Sequence, residues 1–555
     1  MGKDNHKVSP SKLFLSLFRG ESREISVILL YGLGVGLLSL AIPVGVQTLV
    51  STVNFGSLSQ PVLFLVLAVF VGLASAAFLR AIQIKIVEQF QKRFFAQVAL
   101  ELAYRIPRFR LDGKTKARFP ELVNRFFDVL TVQKSSATLL LEGFALALQI
   151  GLGLLLLAFY HWFLLAFALV MILAVGVILF GLGRGAVASS IEESVQKYRV
   201  AAWLEELAAR PLLFRSGASR EMALLRANEI IGSYLDARSA HFRILMRQVV
   251  GSLTLQAVAS SVLLGLGGLL VINNQLTLGQ LVAAEIVVTT ALGSLAKFQK
   301  HLEAFYDLVA ALDKLDGLLN LPLEKVDGVA LPTQSQPVDV EIRDLVFAFG
   351  ESDPIFQGLS FKISAGSKVA ILGSNSSGKS TLVDLLYGIK STTGGAVLLD
   401  GRDYRDLTPE SIRDCVALVR GFEILPDTIL ENVRLGRDSI DLDQIRNSLA
   451  RVGLLDDITS LPKGIHTQLA GDGRPFSIAQ ANRIALARAI VGKPNLLLID
   501  ETLDELDDES REVALQVLLD KKAPWTLIIA THDSDIAKRC EKVISIDDNN
   551  QRRSA

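Results

Sequence analysis

The sequence predicts a multi-domain chain: an all-α, six-helix transmembrane domain followed by an α/β phosphate-loop domain. Three observations predict it. The first half holds long uncharged apolar runs, Gly373 to Thr381 spells a phosphate-binding loop directly after the apolar run KVAIL, and short β-rich runs alternate with helical stretches from Val340 onward. Composition agrees, because 50% of the 555 residues are hydrophobic, only 21% are charged, and mean hydropathy is +0.40. That is too apolar for an ordinary soluble enzyme of this size. Lys plus Arg and Asp plus Glu number 57 each, so no basic excess points to nucleic acid and no acidic excess to a solvated, disordered chain. The two cysteines, Cys415 and Cys540, have no CxxC spacing, which argues against a disulfide framework or a structural zinc site and suits a reducing compartment.

No charged residue occurs from Ile25 to Leu79, and only the polar segment STVNFGSLSQ interrupts that stretch. Two spans follow, 25–50 and 61–80, each near the ~20 apolar residues that cross the hydrocarbon core. A second pair is expected at 136–159 and 162–183, and a third at 248–272 and 278–296. Lys3, Lys7, Lys12, Arg19 and Arg23 crowd the N-terminal tail, and Lys and Arg are frequent in the long connections 80–125 and 184–247, whereas the three short turns have none. The positive-inside rule then places both termini and both long connections in the cytoplasm. No short apolar core with a small-residue cleavage site is present in the tail, so a removable signal peptide is not expected.

The long connections interleave charged residues with Leu, Phe and Ala at helical spacing, so the spans are expected to continue into the cytoplasm as levers. Gly32, Gly34 and Gly36 in span one, with GxxxG spacing between the first and last, would let another helix approach closely. Glu142 in span three and Glu285 in span six are expensive in hydrocarbon and are candidates for lining a substrate path; a headgroup-level or interhelical hydrogen bond is the alternative. The expected division is a cytoplasmic tail 1–24, a membrane domain 25–320, a Pro, Gly, Ser and Gln linker 321–338, and a nucleotide-binding domain 339–548.

KVAIL runs into Gly373-Ser374-Asn375-Ser376-Ser377-Gly378-Lys379-Ser380-Thr381, which satisfies GxxxxGK[ST]. Successive N–H groups and a helix N-terminus can cradle phosphates, Lys379 can reach the β and γ phosphates, and the Ser380 hydroxyl can ligate magnesium. LLLID supplies an apolar strand ending in Asp500, expected to hold the magnesium, and Glu501 follows where a base could orient an attacking water. ATP and Mg2+ are therefore the expected cofactors.

The order of aromatic, phosphate loop, signature helix, LLLIDE and ATH resembles the ATP-binding cassette superfamily, and six spans before it resemble the exporter half-transporters of that superfamily. FPELVNRFFDV and EELAARPLLFRSGAS are similar to the segments near the two coupling helices of exporters, with the style of bacterial type I secretion and peptide exporters of the haemolysin-exporter kind. The resemblance implies that Phe349 stacks on adenine, that His532 contacts the γ phosphate, and that Asp507 lies in the loop meeting the opposite subunit. It implies a dimer in which Ser477 of one half-transporter completes the nucleotide site of the other, in a bacterial inner membrane.

Four sites depart from the pattern. The signature, usually Leu-Ser-Gly-Gly-Gln, reads Phe476-Ser477-Ile478-Ala479-Gln480, and β-branched Ile478 would crowd a phosphate that glycine lets approach. Counting back from TILENV, Arg420 falls where the family has a glutamine near magnesium; an arginine cannot ligate a cation, so it has become a phosphate-side cation or the contact is lost. Ser376 replaces a usual glycine, and Asp504 stands where serine is common. The expected activity is ATP-driven export, of peptide or protein, by a homodimer or heterodimer. Alternatives are a lipid or small-amphiphile flippase and an ATP-binding regulatory membrane protein with weak turnover. Because no catalytic-cysteine peptidase region precedes span one, leader-peptide cleavage is not expected.

Overall fold

The computed structural model describes residues 22–54, 59–110, 124–296, 298–325, 327–331, 336–350, 352–421 and 423–546. The tail lysines, residues 55–58 of the first turn and the start of FPELVNRFFDV lie outside the described residues. The chain forms two compact units: one runs through residue 107 and then from 117 to 321, the other takes 108–116 and everything from Pro322.

The first unit is helical. Its helices are Ser22–Ser39, Ala41–Asn54, Ser59–Arg105, Asp128–Thr138, Phe144–Tyr160, Trp162–Gly176, Ala186–Ala209, Gly217–Ile272, Leu278–Ala296 and Phe298–Leu319. At 1.5 Å per residue, the 47-residue and 56-residue members are about 70 and 84 Å long, more than a bilayer requires. Among the described residues, four helices are long and apolar enough to span: Arg23–Thr52, Val62–Arg108, Trp162–Leu182 and Gly217–Ile272. Length and composition thus support four of the six expected spans, those at 25–50, 61–80, 162–183 and 248–272. The other two expected spans coincide with the helices Phe144–Tyr160, which follows a π-helical turn at Leu139–Gly143, and Leu278–Ala296. Phe64, Phe159 and Phe180 are 74%, 78% and 80% exposed, which suits lipid and not water.

Small residues and matched polar groups hold these helices together. A Cβ on Gly32 would lie 2.8 Å from the Phe144 ring, and one on Gly36 would lie 3.3 Å from Leu148, so the GxxxG pair is where helix Phe144–Tyr160 packs. A second π-turn at Val177–Leu182 is met by the buried Gln248, whose amide donates to the Ile178 and Leu179 carbonyls at 3.4 Å and lies 3.2 Å from the Tyr306 hydroxyl.

The helices Asp128–Thr138 and Phe298–Leu319, whose Val129, Val132, Leu312 and Leu315 share a buried apolar cluster with Phe90 and Phe94, also carry buried charged residues. Asp128 and Lys314 are both buried; the Tyr198 hydroxyl donates to Asp128, Lys314 Nζ lies 3.5 Å above the Tyr198 ring and donates to the Ser194 carbonyl at 2.8 Å. Burial pushes the Asp128 carboxyl up and the Lys314 ammonium down to about 7, against their mutual attraction.

The second unit has two sheets. Five parallel strands in the order β6 (Val416–Arg420), β7 (Leu496–Asp500), β8 (Thr526–Thr531), β3 (Lys368–Leu372), β9 (Lys542–Ser545) form its centre, and β7 and β8 are buried throughout. Runs buried on both faces have no alternation, which is why they read as continuous apolar segments. A four-stranded antiparallel sheet, β2 (Phe356–Ile363), β1 (Val340–Phe347), β4 (Gly394–Leu399), β5 (Arg402–Asp403), adds to the expected parallel one. Its β1 and β2 mix buried and exposed positions, as a sheet with one wet face does. Arg108 to Arg110 belong to this unit: Phe109 bridges Leu323, Arg110 N donates to the Pro322 carbonyl, and Glu324 N donates to the Arg108 carbonyl.

Lys314→Ala leaves Asp128 buried without its cation and is expected to cost on the order of 3 kcal/mol. Lys92→Ala, which removes an exposed i,i+4 partner of Glu88, should stay within about 1 kcal/mol. Thermal unfolding of the two detergent-solubilised variants checks the difference.

Candidate nucleotide site

The phosphate loop joins β3 to the helix Lys379–Leu386, at the carboxyl end of the parallel sheet where α/β folds place ligands. Gly378 is the helix N-cap with φ +98°, and a Cβ there would stand 2.6 Å from Ile355 and 2.9 Å from the Phe356 ring, so glycine is required. Ser376 adopts φ +70°, the left-handed region a glycine would occupy without cost. Gly373, Ser374, Asn375 and Ser377 complete the loop, with Ser377 N donating to the Ser374 carbonyl, and the Ser377 hydroxyl is buried without a hydrogen-bond partner among the described residues. Thr381 is buried at the start of the helix.

Lys379 is 3% exposed and its Nζ lies 3.0 Å from the Gly373 and Ser374 carbonyls and 3.1 Å from Glu501 Oε1. Glu501 itself is left-handed, φ +54°, directly after β7, and this turns its carboxylate back toward the loop. Asp500 is the last residue of β7. Its Oδ1 accepts from Ser380 Oγ at 3.1 Å, and its Oδ2 accepts from Arg420 Nε at 2.6 Å. Burial pushes the Asp500 carboxyl up, opposed by Arg420 and the Ser380 hydroxyl.

Arg420 ends β6 directly opposite Asp500 in the parallel register. Its Nη1 donates to Asp384 Oδ1 at 2.7 Å and its Nη2 to the Ser380 carbonyl at 3.2 Å, while Lys390 pairs with the other Asp384 oxygen at 2.6 Å. Thr502 fixes the strand end next to it, donating to the Val419 carbonyl and accepting from Gly421 N, both at 3.2 Å. Ser380 and Asp500, the expected magnesium ligands, thus face each other and a guanidinium. That donor set does not fit a divalent cation.

His532 is held by a residue the sequence reading did not assign. Asp504 Oδ2 lies 3.0 Å from His532 Nδ1, and Asp504 Oδ1 accepts from the Thr531 hydroxyl at 2.6 Å. Phe349 is 40% exposed, edge-on to Phe347, with Lys390 Nζ 4.6 Å from its ring centre. Ser477 is exposed and caps the helix Ile478–Val491 in a reciprocal box with Gln480, and Ile478 is 60% exposed beside it. Asp507 caps the helix Asp508–Leu518, and hydrogen bonds from Ser510 hold its carboxyl below the ordinary range. Glu142 lies on the first π-turn, 3.1 Å from Lys300, and Glu285 is partly buried on the helix Leu278–Ala296.

Ser376→Gly removes the left-handed cost of a β-carbon, about 1–2 kcal/mol, less about 0.5–1 kcal/mol lost to glycine's greater freedom in the unfolded chain, so the variant is expected to be more stable by about 0.5–1 kcal/mol. Its thermal midpoint should rise in parallel measurements on the full chain.

Residues 356–504 match the family described as ABC transporter. The ATP-dependent lipid A-core flippase of Francisella novicida is 32% identical over 243 residues, 43% of this chain and 40% of that protein. The alpha-hemolysin translocation ATP-binding protein HlyB of Escherichia coli O157:H7 is 28% identical over 314 residues, 56% of this chain and 44% of that protein. The chain therefore spans less than half the length of these relatives. The solved structure of a bacterial Atm1-family ABC exporter with ATP bound superposes with TM-score 0.81 and 20% identity over 97% of both chains, which shows a common fold. With the phosphate loop leading into Lys379 and the buried strand ending in Asp500 inside the matched region, residues 356–504 form a domain of the ABC transporter family, and the chain as a whole has the fold of the superposed exporter.

Proposed function

We propose that this chain is one half of a dimeric, ATP-driven membrane exporter, with both termini cytoplasmic in a bacterial inner membrane. The observation that carries the reading is the buried Lys379, held between two phosphate-loop carbonyls and Glu501 with no other cation-binding anion on its ammonium among the described residues. ATP supplies the phosphates this pocket is shaped to receive. Lys379 and the loop N–H groups bind the β and γ phosphates, Phe349 offers an exposed ring to the adenine, and Glu501, released from Lys379, orients and deprotonates the attacking water. His532, oriented by Asp504, stands at the end of β8 to meet the γ phosphate. The second half-transporter contributes Ser477 and its helix N-terminus to this site, and Asp507 lies on the same meeting surface. Closure of the two halves then drives the long helices that reach from the membrane into the cytoplasm.

The relatives named above act on lipid A-core in one case and on alpha-hemolysin in the other. Peptide or protein export is the reading kept here, with lipid or amphiphile flipping as its alternative. Glu285 is the residue proposed for the substrate path; Glu142, matched by Lys300, is the weaker of the pair as a contact for a cationic group. Glu285→Gln is expected to reduce uptake of substrate into inverted vesicles, and unchanged uptake removes it from the path. A second reading, a regulatory membrane protein that binds ATP and turns over little, is favoured by Arg420 on Asp500 and by the exposed Ile478.

ATP turnover by the purified full chain in lipid distinguishes these readings. Glu501→Gln is expected to lower turnover by about 100-fold or more. Equal rates in both proteins would sink the role given to Glu501, and ATP bound without turnover in either would favour the regulatory reading.

A further inference from the structure

The guanidinium of Arg420 occupies the centre of the anionic side of the site. It reaches Asp500 Oδ2 at 2.6 Å, Asp384 Oδ1 at 2.7 Å and the Ser380 carbonyl at 3.2 Å, from a strand end fixed in register with Asp500. The other Asp500 oxygen accepts the Ser380 hydroxyl, so the carboxylate and the hydroxyl that would have gripped a metal are already used. The charged side chains of this cluster cancel: Asp384, Asp500 and Glu501 against Lys379, Lys390 and Arg420. A divalent ion entering here would have to displace a planar donor that is always charged and has no lone pair to offer it. Displacement would break two charge-assisted hydrogen bonds and leave two extra positive charges beside the retained guanidinium.

We infer that Arg420 is itself the cation of this nucleotide site and that the protein binds ATP without a divalent metal. The inference rests on the ATP-binding reading given above. With Arg420 in place, Asp500 and Asp384 are neutralised without a metal, and Lys379 from the loop is the cation that meets the incoming phosphates. Asp384, on the inner face of the phosphate-loop helix, is the residue that seats the guanidinium. Replacing Arg420 by glutamine removes one positive charge, leaves the Asp500 carboxylate open, and restores a place for a metal.

The test is binding of radiolabelled ATP to the full chain in lipid nanodiscs, with EDTA and with excess Mg2+, for the natural protein, Arg420→Gln and Lys379→Ala. The natural protein is expected to hold ATP with affinities that differ by less than about threefold between the two conditions, and Arg420→Gln to lose about tenfold or more in EDTA and regain it with Mg2+. Loss of about tenfold by the natural protein in EDTA overturns the inference while leaving the ATP site intact. Binding that Lys379→Ala does not weaken, or no binding in either condition, overturns the site reading and the inference with it. If Arg420→Gln does not yield a monodisperse protein, the EDTA comparison on the natural protein alone decides.

Discussion

A carboxylate withdrawn from water at the end of a central strand must be matched, and the residues that match Asp500 organise the nucleotide unit. Its side chain is 2% exposed, behind a strand whose five residues are all buried. Left alone, such a charge would be forced neutral or would unfold its surroundings. Two elements converge to prevent this: the phosphate-loop helix brings the Ser380 hydroxyl and β6 brings the Arg420 guanidinium. The parallel register does the rest, because side chains paired across neighbouring strands share one face of the sheet. The same constraint fixes the mouth of the site, since the Thr502 hydroxyl lies within hydrogen-bond reach of both the Val419 carbonyl of β6 and the Asp500 carbonyl of β7.

Much of this was legible in the sequence because the informative signals are local. GxxxxGK[ST] after KVAIL, and LLLID before Glu501, each state a strand, a turn and a charge within ten residues. Arg420 could be placed by counting from TILENV, and its chemistry as a non-ligating cation follows from its identity. Its seat could not, because Asp384 lies 36 residues earlier and only the packing of helix against sheet brings them together. Asp504 reads as a substitution for serine; that it holds His532, 28 residues later, depends on the turn after β7 meeting the end of β8. The antiparallel sheet was missed for a related reason: β1 and β2 are half-wet strands whose pairing spans an irregular register. Likewise the pairing of Phe109 with Leu323 joins positions more than 200 residues apart, beyond what periodicity can report.

The helical unit obeys the same rule as the nucleotide unit with different partners. Asp128, Tyr198 and Lys314 come from three helices and neutralise one another, and Gln248 answers the carbonyls loosened by a π-turn. Each is a polar group from one helix satisfied by another, and each therefore specifies which helices must be neighbours. Apolar helix surfaces alone would pack in several ways, since lipid tails solvate leucine as well as other leucines do. Glycines set the distance: the Gly32 and Gly36 contacts with Phe144 and Leu148 tolerate no added carbon without a shift of the partner.

Strain and charge meet at Glu501. A left-handed backbone at a glutamate is a sparsely populated conformation that persists only where the surroundings fix it, and here it aims the carboxylate at Lys379. On the proposed reading Lys379 cannot hold both Glu501 and a phosphate, so nucleotide entry itself frees the carboxylate that acts on water. Arg420 makes that exchange possible without a change of charge balance at Asp500, because its three contacts do not involve Lys379 or Glu501. The site thus separates two tasks that share one surface: Arg420 keeps the buried carboxylates neutralised throughout, and Lys379 alone passes from the protein's anion to the nucleotide's.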